Sequence, residues 1–139
     1  MIKLIIIFFI INGAVAFGNN NLDKLYINSD NLIINQKTQQ AKFTGEVVLW
    51  FDDMVIKTTN LEIFYKIVNN NKTIDYIIIP SKLTARRTHE QKIIIANSAK
   101  YIVEQQELTL IEDVIVQTDQ NIIKAKKLVY YTALNHVGF

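Results

Sequence analysis

Polar and apolar side chains alternate residue by residue in several short stretches of this chain. The clearest is AKFTGEV at residues 41–47, where odd positions are small or apolar and even positions are polar. A period of two places one set of side chains on each face of a β-strand. In residues 61–65 the same period places Leu61, Ile63 and Tyr65 on one face, and residues 74–79 and 93–95 are runs rich in isoleucine. These stretches predict β-strands.

Turn-forming residues separate the predicted strands. Asparagine, aspartate, proline and serine favour turns because their side chains or ring fix the local backbone. Short strands at this spacing predict an all-β sandwich, barrel or roll. The predicted turns lie at residues 35–39, 52–53, 69–72, 80–81, 90–91, 105–106 and 119–121.

Two parts of the chain resemble each other weakly. Residues 41–64 align without a gap on residues 108–131, with five identities and a matching hydrophobic register. Each copy predicts a long strand, a tight turn and a returning strand, so that two stacked hairpins would form a continuous inner face. Twelve side chains are predicted to point inward: Phe43, Val47, Leu49, Leu61, Ile63, Tyr101, Leu108, Leu110, Val114, Val116, Leu128 and Tyr130.

The composition excludes several common kinds of site. The chain has no cysteine and a formal net charge of +2, which excludes disulfides, a cysteine metal site and a general attraction for nucleic acid. Its four glycines fit neither a Walker phosphate loop nor a Rossmann fingerprint. His89 and His136 are isolated, and no serine stands in a nucleophile-elbow motif. We therefore expect no enzymatic activity, no metal and no cofactor.

The first 16 residues have the composition of a secretory signal peptide. Lys3 supplies an early positive charge, residues 4–11 are an apolar run, and AVA at residues 14–16 is a small-x-small site. We expect cleavage after Ala16, export, and a single mature domain spanning residues 17–139. The alternative is an uncleaved membrane anchor, although the apolar stretch is shorter than the roughly twenty residues that a spanning helix needs.

The order and spacing of several short motifs resemble the periplasmic lipopolysaccharide-transport bridge family, the LptA/OstA-like proteins. Each motif is mostly a strand pattern, and together they extend over residues 25–131. The motifs are INSD at 27–30, AKFTGEV at 41–47, IKTTNLEI at 56–63, IDYI at 74–77, ANSAKY at 96–101, LTLIEDV at 108–114 and NIIKAKKL at 121–128.

Three features depart from the pattern of that family. The glycine of its second strand motif is replaced by Glu112, and its final Gly-Asp pair is replaced by Ala125 and Lys126. The chain also ends at Phe139, soon after the final hairpin, whereas many family members continue with further strands. In the family the further strands help end-to-end contact, so the third departure concerns the C-terminal docking edge.

The resemblance implies an elongated, twisted β-jelly roll of antiparallel strands in the periplasm. It implies that the chain binds the lipid A moiety of lipopolysaccharide and passes it from the inner to the outer membrane. The partners would be copies of itself, joined head to tail, and related β-jelly-roll domains at both membranes. The acyl chains would lie against the twelve inward side chains, with Arg86 and Arg87 as candidate contacts for headgroup phosphates.

Two other hypotheses stand beside this one. The first is a membrane-anchored adaptor of the same fold, which keeps its N-terminal helix. The second is a secreted β-roll enzyme acting on glycans. Such an enzyme needs paired carboxylates on an inner face, and the predicted inner positions are apolar.

Overall fold

The computed structural model describes residues 4–7, 25–51, 53–87 and 89–131 of the chain. These residues form eleven strands, and every pairing between strands is antiparallel, which confirms the all-β prediction. Within the described ranges no helix is long and apolar enough to cross a membrane. The strands are β1 (Leu4–Ile7), β2 (Leu25–Ser29), β3 (Asn31–Asn35), β4 (Gln40–Phe51), β5 (Met54–Val68), β6 (Asn71–Ile79), β7 (Leu83–Arg87), β8 (Ile93–Ala96), β9 (Ser98–Ile102), β10 (Glu107–Gln117) and β11 (Ile122–Tyr131).

One segment of the predicted signal peptide is described. It is β1, which pairs with β2 so that Leu4 lies opposite Ser29 and Ile7 lies opposite Tyr26. The predicted cleavage site after Ala16 lies outside the described residues, as does Asp52 in the predicted turn before β5. Processing of the N-terminus therefore stays a prediction.

Pairs of short strands lie beside the long ones throughout the sheet. β2 and β3 pair with successive parts of β4, and β8 and β9 pair with successive parts of β10. β6 and β7 pair in the same manner with β5, and they also join the two repeats by pairing with β9 and β8. The buried apolar side chains form one cluster on the inner face of this sheet.

The internal repeat is a repeat of structure, and it extends further than the sequence match. β4–β5 and β10–β11 are the two predicted hairpins, and the short strands before each hairpin carry the repeat back to residue 25. A β-bulge interrupts both long strands at the same place, between Thr44 and Val47 and between Ile111 and Val114. The bulge residues all have positive φ, at 81° for Gly45, 41° for Glu46, 68° for Glu112 and 51° for Asp113.

In each repeat, the residue between two short strands donates backbone hydrogen bonds to the bulge. The Asp30 N–H donates to the carbonyl of Gly45 at 3.0 Å. Asn97 stands at the equivalent place and donates to the carbonyls of Ile111 and Glu112 at 3.2 and 3.1 Å. A β-carbon at Gly45 would lie 2.7 Å from the Asp30 carboxylate, whereas the Glu112 side chain is exposed. The second bulge therefore forms without the glycine of the family pattern.

Local turn chemistry explains where the strands end. Asn69 and Asn70, with φ of 54° and 66°, make the two-residue connection between β5 and β6, a position that asparagine tolerates better than most residues. Pro80 has no N–H to donate and follows the last residue of β6. The Ser81 Oγ then accepts a hydrogen bond from the Asn60 N–H at 3.1 Å, which gives this β5 backbone donor a partner between β6 and β7. The predicted turns coincide with strand ends wherever the structure describes them.

Candidate lipid-binding surface

The structure places all twelve side chains that were predicted to point inward on the inner face of the sheet. Val116 and Leu128 are partly buried and pack against the apolar cluster. Contact between lipid and any of the twelve side chains stays a prediction. The other ten are buried, with at most 6% of their surface exposed: Phe43, Val47, Leu49, Leu61, Ile63, Tyr101, Leu108, Leu110, Val114 and Tyr130.

Over most of its length the inner face is filled by the protein's own side chains. Phe43, Leu61, Ile63 and Leu110 are each 0% exposed. Protein interiors pack as densely as organic crystals, so an acyl chain reaches these side chains only if it displaces part of the core. Accessible inner surface must therefore lie where this packing is incomplete.

The inner face is open at the tip of the second hairpin. Val116 pairs with Ile123, so both project inward, yet Ile123 is 57% exposed. Their counterparts in the first hairpin, Leu49 and Ile56, pair with each other in the same way and are each 1% exposed. The difference arises because β7 continues the sheet beyond β5, whereas no described strand lies beyond β11.

Ile123 is a candidate lipid contact that the strand pattern does not select. It follows another isoleucine, Ile122, and two adjacent apolar residues do not reveal which of them points inward. The repeat alignment carries the missing information, because Ile123 aligns with the buried Ile56.

The two candidate phosphate contacts point in opposite directions from β7. The Arg87 guanidinium lies 3.6 Å from the Asp53 carboxylate, 3.4 Å from that of Glu90 and 5.7 Å from the centre of the Tyr130 ring. Arg86 is exposed on the outer face. Arg87 thus ties the turn before β5, the turn after β7 and β11 together, whereas Arg86 is accessible from solvent.

Burial on the inner face disfavours charge. It raises the pKa of the Tyr65 hydroxyl above the ordinary value of 10.0. It also raises the pKa of Tyr130, an effect that the positive charge of Arg87 partly opposes. A surface that resists ionisation suits uncharged, apolar material.

The buried hydroxyls of Ser29 and Thr58 both donate hydrogen bonds to the backbone. The Ser29 hydroxyl donates to the Asn31 carbonyl at 3.0 Å, and the Thr58 hydroxyl donates to the Lys82 carbonyl at 2.9 Å. In the part of the chain that the structure describes, no three histidine, aspartate or glutamate side chains come together as a metal site would require. The inner face thus offers apolar contact.

Besides β1, which pairs only with β2, two described strands have an edge that no other described strand covers. β11 pairs only with β10, and β3 pairs only with β4. Exposed apolar side chains lie on both, with Ile122 at 64% and Tyr131 at 56% on β11 and Ile33 at 63% on β3. The backbone N–H and C=O groups of such edges are available to pair with another chain.

Comparison with known proteins identifies relatives in sequence and in structure. The profile of the family described as LptA/(LptD N-terminal domain) LPS transport protein matches residues 26–135. An uncharacterized protein of Rickettsia prowazekii (strain Madrid E) is 36% identical over 129 residues, which cover 93% of this chain and 89% of that protein.

A solved structure shares the fold. It is that of LptH, the LptA homologous periplasmic component of the lipopolysaccharide transport device of Pseudomonas aeruginosa, and it superposes with a TM-score of 0.65 at 16% sequence identity. The superposition covers 78% of this chain and 76% of LptH. With the family profile matching most of the chain, this protein belongs to the LptA/(LptD N-terminal domain) LPS transport protein family.

Proposed function

We propose that this protein is a periplasmic lipopolysaccharide-binding bridge that carries lipopolysaccharide from the inner to the outer membrane. The observation that carries the proposal is an apolar inner face, open at one end, in a member of a lipopolysaccharide transport family. The working form would be residues 17–139 after cleavage behind Ala16. The protein would act by binding alone, without catalysis, and any driving energy would come from another component.

The hydrophobic effect explains why such a carrier needs an inner face of this kind. Each acyl CH₂ removed from water contributes about 0.8 kcal/mol, so a lipid with several chains must be covered while it crosses an aqueous space. We infer that the first acyl contacts form at Ile123 and Val116, where the face is open. Side chains deeper in the core, such as Phe43 and Leu110, would be reached only as the interior opens.

The open strand edges support head-to-tail association. The β11 edge of one copy would pair with the β2–β3 edge of the next by strand addition. β1 lies against β2, so the predicted cleavage would free that part of the edge. The inner faces of successive copies would then adjoin, giving the lipid a continuous apolar path.

A pair of matched variants tests the lipid-binding part of the proposal. Ile123→Asp places a charge on the open inner face, and Ile122→Asp places the same charge on the opposite face of the same strand. Both side chains are more than half exposed, so both variants should fold with stability within about 0.5 kcal/mol of the parent. Titration with fluorescently labelled lipopolysaccharide should show binding weakened about tenfold or more for Ile123→Asp and unchanged for Ile122→Asp. Equal binding by both folded variants would contradict the inner-face assignment.

Engineered cysteines test the association, because the natural chain contains none. Ile33→Cys on β3 is combined with Ile122→Cys or Lys124→Cys on the outer face of β11 in residues 17–139. Oxidation should give a ladder of covalent oligomers from a double variant, whereas each single variant can give dimers at most. Double variants that yield only monomers and dimers would argue against head-to-tail pairing. The mass of the exported chain separately distinguishes the cleaved form from the anchored adaptor.

A further inference from the structure

The outer face of the sheet carries a groove, on the side opposite the apolar inner face. Its volume is about 800 Å³, and it crosses β5, β7 and β8 next to the turn between β10 and β11. Val55 and Ile93 form part of its lining, and Arg86 lies between them because it pairs with both across neighbouring strands. The groove therefore combines an apolar lining with a central cation.

The groove is richer in cations than in acids. Four lysine or arginine side chains line it, against two carboxylates, those of Glu90 and Asp119. Glu90 is already engaged, since it lies 3.4 Å from Arg87 and 3.8 Å from Lys92. This leaves the other two cations, on the outer faces of β5 and β7, as the candidates for binding an anion.

These two cations are Lys57 and Arg86. Among the described residues, neither has a carboxylate within ion-pair distance. Lys57 pairs with Thr84 and Arg86 pairs with Val55, so the two are diagonal neighbours on adjacent strands, about 7–8 Å apart and somewhat closer at their β-carbons. Long side chains at that separation can both reach one phosphate, and an arginine fork can bind it in a bidentate manner.

We propose that Lys57 and Arg86 form a phosphate-binding site on the outer face, and that the site holds the phosphorylated sugar headgroup of the lipid. The lipid part of this assignment rests on the proposed function. Gln117 lines the groove and is adjacent to Val116, whose side chain lies on the open inner face. A headgroup in the groove would therefore lie beside the tip of the same hairpin on which the acyl chains are placed.

Arg86 and Arg87 are adjacent in sequence but have different roles in this proposal. Arg86 contacts the anion, whereas Arg87 is held by Asp53 and Glu90 and positions the surrounding turns. The site is tested with a double variant, Lys57→Gln combined with Arg86→Gln, since both side chains are exposed and should tolerate the change. Lys42→Gln is the matched control, because Lys42 is also exposed on a strand but does not line the groove.

A soluble ligand tests the site independently of lipid transport. Glucosamine 1-phosphate, added at millimolar concentration and low salt, should shift the methyl NMR signals of Val55 and Ile93 in the parent protein. The shifts should persist in Lys42→Gln and disappear in the double variant. Parent protein whose methyl signals do not move, or a double variant that responds like the parent, would overturn the site.

Lipid binding then tests the identity of the anion. The double variant should bind lipid A that carries its phosphates about tenfold more weakly than the parent, and it should bind dephosphorylated lipid A as the parent does. Equal weakening for both lipids would overturn the headgroup assignment. If the sugar phosphate binds while no form of lipid A does, the groove stands and the proposed transport function fails.

Discussion

Gly45→Ala perturbs the first bulge in a way that the structure makes quantitative. The residue has φ of 81°, a left-handed conformation that costs a residue with a β-carbon about 1–2 kcal/mol. The new carbon would also lie 2.7 Å from Asp30 Oδ2 and 2.9 Å from Asp30 Cβ. Asp30 cannot move away freely, because its N–H is bonded to the Gly45 carbonyl at 3.0 Å.

The expected loss of stability follows from these two effects. Forcing an extra carbon into a filled site costs about 1–3 kcal/mol, and reduced freedom of the unfolded chain returns about 0.4–1 kcal/mol. Gly45→Ala should therefore lower the free energy of unfolding by roughly 1.5–4 kcal/mol, measured by urea denaturation at constant m-value. Glu112→Ala, at the equivalent position of the second repeat, adds no carbon and should change it by less than about 0.5 kcal/mol. A Gly45→Ala loss as small as that of the control would refute this account of the bulge.

Three further predictions use the same denaturation assay. Glu112→Gly should stabilise the protein by about 0.5–1 kcal/mol, because release of left-handed strain exceeds the cost of a more flexible glycine, and a loss of stability would contradict that strain. Arg87→Met should lower the free energy of unfolding by roughly 1 kcal/mol, because solvent screens its partly exposed ion pairs. Arg86→Met should leave it almost unchanged, and equal effects of the two variants would argue against their separate roles. Burial raises the pKa of Tyr130, so the unfolded chain loses this proton first and stability should fall as the pH rises above about 10. The stability of Tyr130→Phe should fall less steeply over this pH range. A fall parallel to that of the parent protein would contradict a raised pKa for Tyr130.

The strands and turns follow from local sequence because their causes are local. Strict alternation over residues 41–47 reports one half-buried strand whatever its neighbours are. Asn69 and Asn70 tolerate left-handed backbone by themselves, and Pro80 lacks an N–H in any fold. The inward phase of residues such as Phe43 and Leu110 follows from the same alternation.

The features that depend on pairing between distant strands could not be predicted in this way. The bulge at Glu112 accepts its hydrogen bonds from Asn97 and leaves the Glu112 side chain exposed, so it forms without a glycine, and nothing near Glu112 in sequence indicates this. The exposure of Ile123 depends on whether another strand lies beyond β11. The alternation of apolar and polar residues also does not predict the close packing of the interior, because a filled core and an open trough have the same alternation. The opposite directions of Arg86 and Arg87, by contrast, were available from alternation alone.

If the protein carries lipopolysaccharide, its open inner face must contact the lipid. A photo-activatable benzoylphenylalanine at position 123, compared with one at position 122, tests it most directly in protein made by a lipopolysaccharide-producing host. Ultraviolet irradiation should give a lipopolysaccharide adduct from Ile123→benzoylphenylalanine and little from Ile122→benzoylphenylalanine, since their side chains lie on opposite faces of β11. Adducts at neither position, or equally at both, would contradict the account.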